Sequence, residues 1–367
     1  IFTMWSWVIT PTLPVVVTEL AQTLVEPSDS ELAAALGLTT TPAEDFYDVV
    51  VVGGGPAGLA AAVYGASEGL KTVLIERTAT GGQAGQSSRI ENYLGFPDGL
   101  SGSQLAERAR RQAEKFDAEV ITAATVTSLE VDGAARTLTL SDGRRIGCRS
   151  VILAMGVEYR QLNADGCGDL TGAGVYYGAS TSVAPDCADE EVYVIGGANS
   201  AGQAAMFLSR TAKSVTIVSR RTLEDSMSHY LIQQIRSRPN IHEMPNTVVH
   251  AVKGEGHLER ICLEHVGTGE RQEHLSGRMF IFIGAEPRTD WLDGVVVRDD
   301  HGFILAGPDL REVSGWTLDR PPHHLETSVP GVFVAGDVRA ESAKRVAAAV
   351  GEGSMAVMFV HRYLADG

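Results

Sequence analysis

The run Val49-Val50-Val51-Val52-Gly53-Gly54-Gly55-Pro56-Ala57-Gly58 decides the fold. Its β-branched residues predict a buried strand, and the glycines match G-x-G-x-x-G, the turn into a helix that holds a dinucleotide. Gly53 permits the tight turn, Gly55 lets the backbone approach a pyrophosphate, and Gly58 lets the helix pack on the strand. With Pro56 and Ala57 in its first turn, that helix directs free N–H groups at the phosphates.

The residues that follow complete a nucleotide-binding unit. We expect a helix over 60–67 and a second strand over 72–75, which ends at Glu76. An acid about 20 residues beyond the glycines accepts hydrogen bonds from ribose hydroxyls in such units. A glycine turn without a ligand is the alternative, and these additional parts make it less favoured.

A second copy of the turn reads Val192-Tyr193-Val194-Ile195-Gly196-Gly197-Ala198-Asn199-Ser200-Ala201. Gly196, Gly197, Asn199, Ser200 and Ala201 are therefore predicted to bind a second dinucleotide. Ala198 replaces the second glycine, and we expect its methyl group to crowd the pyrophosphate slightly. Two dinucleotides in one chain indicate electron transfer between them.

The end of the next strand predicts which nicotinamide cofactor is used. After residues 215–218 come Arg220 and Arg221, where an acid would bind a ribose 2′-hydroxyl. Arginine suits a 2′-phosphate, so NADPH is favoured over NADH. A solvated strand end is the alternative interpretation.

Composition excludes several classes of function. The chain has 367 residues, 44% hydrophobic and 21% charged, typical of a globular protein with two full cores. A formal net charge of −16 argues against binding nucleic acid or an anionic membrane. The apolar residues 1–9 are too short to span a bilayer and lack a basic flank, so we expect a cytoplasmic protein. The four cysteines form no C-x-x-C and predict no metal site.

The pattern of elements predicts an α/β fold with two Rossmann-like three-layer domains, one inserted into the other. We expect the first domain at 44–159 and 288–367, with a hairpin over 137–148 and a last helix over 343–364. The second domain is expected at 160–287. Residues 1–43 are predicted to form an appendage with a strand, its hairpin partner and a capped helix, similar to the C-terminal half of a glutaredoxin-like domain.

With these pieces in place, residues 46–364 resemble the low-molecular-weight thioredoxin reductase family of FAD- and NADPH-dependent enzymes. The resemblance implies an FAD domain interrupted by an NADPH domain, and a homodimer. It also implies that amides contact the flavin ring, that an acid holds the ribityl chain, and that the last helix directs N–H groups at the flavin. The residues so implied are, for FAD, Gly82, Gln83, Asn92, Val126, Ala154, Gly156, Gly336, Asp337, Arg345 and Val346, and, for NADPH, Gly284. For the basic pair Lys344 and Arg345, a surface position is an equal alternative.

One family motif is absent. The resemblance expects C-x-x-C-D before the second glycine turn, and Gly178, Thr181 and Ser182 stand in place of the two cysteines and the acid. Reduction of a disulfide needs an attacking thiolate and a resolving thiol, which these residues do not supply. Pairing of Cys167 with Cys187 is a less favoured alternative.

The leading hypothesis is therefore an NADPH-dependent FAD oxidoreductase that passes electrons to an acceptor other than thioredoxin. Three kinds of acceptor stay open: a ferredoxin or flavodoxin, molecular oxygen or a small molecule as in an oxidase or tailoring enzyme, and a disulfide on a partner. A non-catalytic flavin redox sensor is the alternative from a different class.

Overall fold

The computed structural model describes residues 15–17, 23–87, 90, 92–178, 185–310, 316 and 318–366. These residues form two compact units. The first unit comprises 1–87, 100–157 and 287–367, and the second comprises 88–99 and 158–286. The predicted domain limits differ from these units chiefly at two places. They separate 1–43 from the first domain, and they assign 88–99 to the first domain, not the second. The predicted limits stay a prediction. Within the described ranges, no helix is long and apolar enough to cross a membrane.

Strands and helices are numbered in chain order. The strands are β1 Val15–Val17, β2 Thr23–Val25, β3 Phe46–Val52, β4 Thr72–Ile75, β5 Glu119–Ile121, β6 Val126–Asp132, β7 Ala135–Leu140, β8 Arg145–Leu153, β9 Glu158–Tyr159, β10 Val175–Tyr177, β11 Glu191–Ile195, β12 Ser214–Val218, β13 Ile241–Met244, β14 Thr247–Lys253, β15 Arg260–His265, β16 Arg271–Leu275, β17 Arg278–Ile281, β18 Ala285–Glu286 and β19 Val332–Val334. The helices are α1 Asp29–Ala35, α2 Pro56–Ser67, α3 Gly82–Gly85, α4 Gly102–Lys115, α5 Asn199–Leu208, α6 His229–Arg236 and α7 Val346–Asp366.

The N-terminal segment has the predicted hairpin and helix in its described part. β1 and β2 pair antiparallel. Ser28 caps α1, since its side chain accepts a hydrogen bond from Glu31 N–H while the Glu31 carboxylate accepts one from Ser28 N–H. The likeness to a glutaredoxin half stays a prediction.

The first unit contains a sheet in the order β5-β4-β3-β8, all parallel. The C-terminal half of β8 pairs with β19 in parallel, and its N-terminal half pairs with β7 in the predicted antiparallel hairpin. Alternate residues of β3 fill two cores. Val49 and Val51 pack with α2 and α7, while Val50 and Val52 pack with the opposite cluster that includes Leu292.

The second unit contains a parallel sheet in the order β10-β17-β11-β12-β13. One face packs on α5 and α6, and the other packs on residues of the antiparallel sheet β14-β15-β16. Each glycine turn therefore follows a parallel strand, β3 or β11, whose side chains are buried on both faces. Such strands read as continuous apolar runs, which is why the sequence identified them.

The last helix begins three residues later than predicted. Lys344 has φ +48° and Glu341 has φ +56°, in the left-handed region that an α-helix does not use. α7 therefore starts at Val346 rather than at residue 343.

Candidate dinucleotide-binding sites

The first glycine turn leaves one open position at its centre. Gly53 has φ +105°, and a Cβ there would lie 2.4 Å from the carbonyl oxygen of Ala154. A Cβ on Gly58 would lie 1.8 Å from the Gly53 oxygen, so this glycine allows the close packing of helix and turn. Gly55, by contrast, has ordinary extended backbone (φ −74°), and nothing lies within 4 Å of a Cβ built on it. The turn thus has a cradle where a phosphate can approach the main chain.

The start of α2 supplies donors for that cradle. The first helical hydrogen bond is donated by Leu59 N–H to Gly55 O at 2.9 Å. Pro56 has no N–H, so the amides of Ala57 and Gly58 are the ones left at the helix end. These donors and the helix dipole favour a bound anion.

Glu76 is held in place by the chain itself. Its Oε2 accepts a hydrogen bond from Gly54 N–H at 2.6 Å, and its Oε1 accepts one from Thr78 N–H at 3.0 Å. A carboxylate has about four acceptor sites. The buried Glu76 therefore keeps capacity for ribose hydroxyls while being tied to the glycine turn.

A second glycine segment lies against the same turn. Gly81 N–H donates to Gly54 O at 2.7 Å, and a Cβ on Gly82 (φ +53°) would lie 3.2 Å from Gly55 Cα. Gln83 is half-buried on α3. Asn92 is exposed and falls in the second unit. The structure thus brings Gly82 beside the turn, whereas the flavin contacts of Gln83 and Asn92 stay predictions.

The end of β8 forms another part of the site. Ala154 N–H donates to Val52 O at 2.8 Å, and Gly156 has φ +63° with no atom within 4 Å of a built Cβ. Val126 is the first residue of β6, and its side chain belongs to the buried core. A nucleotide contact by Val126 stays a prediction.

Asp337 is a half-buried acid beside the first glycine turn. It follows β19 and Gly336, whose φ of +79° and near contact with Ala57 Cβ (2.9 Å from a built Cβ) bring this turn to the start of α2. Burial raises the pKa of Asp337, with an opposing effect of Lys344 and a further raising effect of Glu352. Among the described residues, none donates a hydrogen bond to this carboxylate. Ribityl hydroxyls would supply donors for it, so the observed surroundings fit the group that the resemblance implied.

Glu352 is a site residue that sequence reasoning missed. It lies on α7, where its Oε2 accepts a hydrogen bond from Gly336 N–H at 2.7 Å. Its Oε1 pairs with Arg339 Nη2 at 2.6 Å, and both side chains are largely buried. The one signal for it in the sequence is an acid in the second turn of a helix whose first half is otherwise largely apolar. Glu352 thus fixes the turn that presents Asp337.

The N-terminus of α7 presents free amides, and their contact with the flavin stays a prediction. Ala349 N–H donates to Arg345 O at 2.9 Å, so the amides of the three preceding residues, beginning with Val346, have no helical partner. Lys344 Nζ lies 4.2 Å from the ring centroid of Phe303. Arg345 is exposed. Lys344 thus packs on an aromatic ring, and both the surface position and the flavin contact of this basic pair stay predictions.

The second glycine turn has a backbone geometry similar to that of the first. Gly196 has φ +143°, and its built Cβ would lie 2.4 Å from Phe282 O. Ala198 begins α5 as its N-cap with φ −93° and ψ 177°, the same extended conformation that Gly55 adopts. Ala198 is exposed, so the fold accommodates its methyl group. Ser200 is exposed beside it, and Ala201 is buried under the turn.

The predicted arginine pair is available for a ligand. Arg220 and Arg221 are both exposed after β12. Neither guanidinium forms an ion pair with a described residue, whereas Arg236 and Arg278 each do. Gly284 has φ +101°, and its built Cβ would lie 3.8 Å from Arg160 Cδ.

The cysteines do not replace the missing motif. Gly178 has φ +84°, and the predicted positions Thr181 and Ser182 lie outside the described residues. None of the four cysteines forms a disulfide. Burial raises the pKa of Cys148 to about 12, and those of Cys167 and Cys187 to about 11. Only Cys262 is partly exposed, so the buried thiols are not thiolates at neutral pH.

The alternative pairing of Cys167 with Cys187 is wrong. Cys187 packs with Val192 and Val194, while Cys167 packs with Tyr193 and Ile195. Alternate residues of β11 face opposite sides of the sheet, so the two cysteines are separated by it. Within the described ranges, no group of three or more His, Cys, Asp or Glu side chains could hold a metal ion.

Comparison with known proteins gives the class. Residues 47–353 match the family model described as pyridine nucleotide-disulphide oxidoreductase. A thioredoxin reductase of Peptoclostridium acidaminophilum is 33% identical over 327 residues, which cover 88% of this chain and 98% of that protein. One of Streptomyces clavuligerus is 35% identical over 325 residues, covering 88% and 95%. The crystal structure of thioredoxin reductase from Streptococcus pyogenes MGAS5005 superposes with a TM-score of 0.75 at 32% identity, covering 88% and 99%.

The fold and its two dinucleotide turns thus define a two-cofactor flavoprotein, and the chain belongs to the pyridine nucleotide-disulphide oxidoreductase family. Within that family it is a thioredoxin reductase-like, FAD-dependent NAD(P)H oxidoreductase whose cofactors are FAD and NADPH. The predicted fold class and the predicted cofactors are confirmed.

Proposed function

We propose that this enzyme uses NADPH to reduce FAD and delivers the electrons to an acceptor other than thioredoxin. The observation that carries the proposal is the cysteine chemistry. The sequence has no C-x-x-C, and Cys148, Cys167 and Cys187 are buried thiols with raised pKa values. Cys262 is partly exposed, but disulfide reduction needs an attacking thiolate together with a resolving thiol, and Cys262 has no C-x-x-C partner.

The chain's own residues would bind and orient the cofactors. The free amides at the start of α2 would hold the FAD pyrophosphate, Glu76 the ribose and Asp337 the ribityl chain. The positive end of α7 would favour negative charge on the flavin ring. In the second unit, the α5 terminus and Arg220 with Arg221 would hold NADPH. When bound, these two cofactors supply hydride transfer, for which no side-chain acid or base is needed.

Several further expectations belong to this proposal. The individual site residues and the domain limits are proposed as the sequence predicted them. A homodimer is proposed because the relatives that the chain resembles are typically homodimers. The excess of acidic residues, a net charge of −16, disfavours an acidic carrier such as ferredoxin, because like charges repel on docking. Oxygen and a small reducible molecule are therefore the favoured acceptor classes, and a partner's disulfide stays a less favoured one.

Anaerobic stopped-flow spectroscopy tests the proposal. Mixing with NADPH is expected to bleach the visible absorbance of the oxidised flavin, and the reduced protein is then mixed with oxygen, a quinone, ferredoxin, a small disulfide or thioredoxin. The oxidant that reoxidises the flavin fastest identifies the acceptor class. A related thioredoxin reductase is the positive control for the reaction with thioredoxin. Rapid, NADPH-dependent thioredoxin reduction would refute the proposed acceptor. A flavin that stays oxidised under NADPH would favour the redox-sensor alternative.

A further inference from the structure

The loop that carries the arginine pair, residues 219–228, is tied to the second glycine turn. Ser226 Oγ donates a hydrogen bond to Gly197 O at 3.0 Å. Ser228 N–H donates to Asn199 Oδ1 at 2.8 Å. A Cβ on Gly197 would lie 3.3 Å from Ser219 Cβ, so the turn and the beginning of the loop are also packed together. Two hydrogen bonds and one packing contact thus set the position of the loop relative to the turn.

The acids of the loop do not neutralise its arginines. Glu224 pairs with Arg236 of α6 at 2.8 Å, and Arg236 also pairs with Glu243 of β13 at 2.9 Å. Asp225 Oδ2 accepts a hydrogen bond from Thr222 Oγ1 at 3.2 Å. Glu224 thus pairs with a residue outside the loop and Asp225 with a hydroxyl of the loop, and neither forms an ion pair with Arg220 or Arg221. The guanidinium groups of the arginine pair stay available for an anion.

The chemistry of the nucleotide makes the position of this loop matter. In NADPH the pyrophosphate and the 2′-phosphate are attached to one ribose, so the separation of the two anionic groups is limited by covalent geometry. A turn that holds the pyrophosphate and a loop that holds the 2′-phosphate must match that separation. NADH lacks the 2′-phosphate, so its binding does not depend on the loop in this way.

We infer that Asn199 and Ser226 are positioning residues that set the preference for NADPH over NADH, by holding the arginine loop at a fixed distance from the glycine turn. The inference rests on the proposed function, in which the second unit binds NADPH. It assigns to Asn199 a role beyond the turn motif, because its side-chain oxygen accepts from the loop.

Calorimetric titration of the FAD-loaded protein tests the inference through binding alone. The probes are NADP⁺ and NAD⁺, together with 2′,5′-ADP and 5′-AMP, which differ by the 2′-phosphate. Ser226→Ala and Asn199→Ala each remove one hydrogen bond, and we expect each to weaken NADP⁺ binding about two- to three-fold and the double variant about five-fold or more. For Ser226→Ala, NAD⁺ and 5′-AMP affinities are expected to change by less than about two-fold, since these ligands do not use the arginines. Asn199 also lies in the glycine turn itself, so for Asn199→Ala the measure is the ratio of NADP⁺ affinity to NAD⁺ affinity, which is expected to fall.

Ser237→Ala is the matched control. Ser237 Oγ donates to Gln234 O at 2.7 Å at the other end of α6, so the variant removes a similar serine hydrogen bond without affecting the loop. It is expected to leave all four affinities unchanged. Ser226→Thr keeps the hydroxyl group and is expected to retain the wild-type preference for NADP⁺ over NAD⁺.

The possible outcomes are distinguishable. Equal weakening of NADP⁺ and NAD⁺ would show a general role in the turn and overturn the inference, as would an unchanged affinity ratio in the double variant. If the wild-type protein bound NAD⁺ as well as NADP⁺, discrimination would be absent and the inference would fail, while dinucleotide binding would stand. If wild-type protein bound neither nucleotide, the proposed function itself would fail.

Discussion

Replacing Gly55 by alanine separates cofactor binding from folding. Gly55 has φ −74°, which alanine adopts without strain, and no atom lies within 4 Å of a built Cβ. The second turn demonstrates that the exchange is compatible, because Ala198 occupies the matching N-cap position with φ −93°. Alanine is a poorer N-cap than glycine but reduces the entropy of the unfolded chain, so the free energy of unfolding without FAD is expected to change by less than about 1 kcal/mol.

The effect on FAD is expected to be much larger. A methyl group in the open cradle would keep a phosphate oxygen away from the amides at the start of α2. Hydrogen bonds to a charged group contribute about 1.5–3 kcal/mol each, so the loss of one corresponds to about ten- to a hundred-fold weaker FAD binding. The reverse exchange, Ala198→Gly, is expected to strengthen NADP⁺ binding and to leave FAD affinity unchanged.

Fluorescence titration of the FAD-stripped protein with FAD measures the affinity, and circular dichroism melting of the same preparation measures stability. Gly58→Ala is the contrasting variant, since its Cβ would lie 1.8 Å from Gly53 O and should impair folding itself. Wild-type FAD affinity in Gly55→Ala would refute the assignment of this cradle to the pyrophosphate. A large loss of stability without FAD would refute the claim that the position is open.

Three more variants or measurements test other parts of the structure. Gly353→Ala on α7 places a Cβ 2.1 Å from Ala57 O and should lower the free energy of unfolding, measured by urea denaturation, by about 1–3 kcal/mol. Gly351→Ala is the control, because no atom lies within 4 Å of its Cβ, and it should raise that free energy by about 0.5–1 kcal/mol. Burial raises the pKa of Asp337 in the folded protein above its ordinary 3.8. The folded state then binds more protons than the unfolded state, so stability without FAD should fall as the pH rises from about 3.8 through the raised pKa. Asp337→Asn should therefore raise the melting temperature at pH 7 but weaken FAD binding, and a lower melting temperature would contradict this. With a thiol reagent at pH 8, one cysteine per chain, Cys262, should react rapidly, both before and after NADPH is added, and rapid labelling of two or more would contradict the burial of the others.

Much of the fold could be predicted because its signals are local. The strand over 72–75, the hairpin around residues 141–144 and the capping box at Ser28 were predicted from residue type and spacing, and the structure has them. Both glycine turns were also found, because a β-branched strand followed by glycines specifies a backbone path within about ten residues. The start of α7 was predicted too early, since residue types alone did not show the left-handed backbone at Lys344.

The candidate site was only partly predictable, because several of its contacts join distant parts of the chain. Glu352 binds Gly336 N–H from the next element, and Asn199 binds the loop at Ser228, 29 positions later. Short sequence motifs do not indicate contacts between residues that lie this far apart in the chain. The buried state of the cysteines is of the same kind, since it depends on what packs over each thiol.

By itself, the sequence determined that this protein has two dinucleotide turns, an arginine pair suited to NADPH and no dithiol motif. These properties depend only on residue type and on short spacings along the chain, so they can be recognised without knowing how the chain packs. The tertiary structure alone decided that Asp337 has no donor among the described residues, that Gly55 faces open space while Gly58 does not, and that Cys167 and Cys187 lie on opposite sides of a sheet. Those properties depend on which atoms meet after folding, and packing brings together residues that the chain keeps far apart.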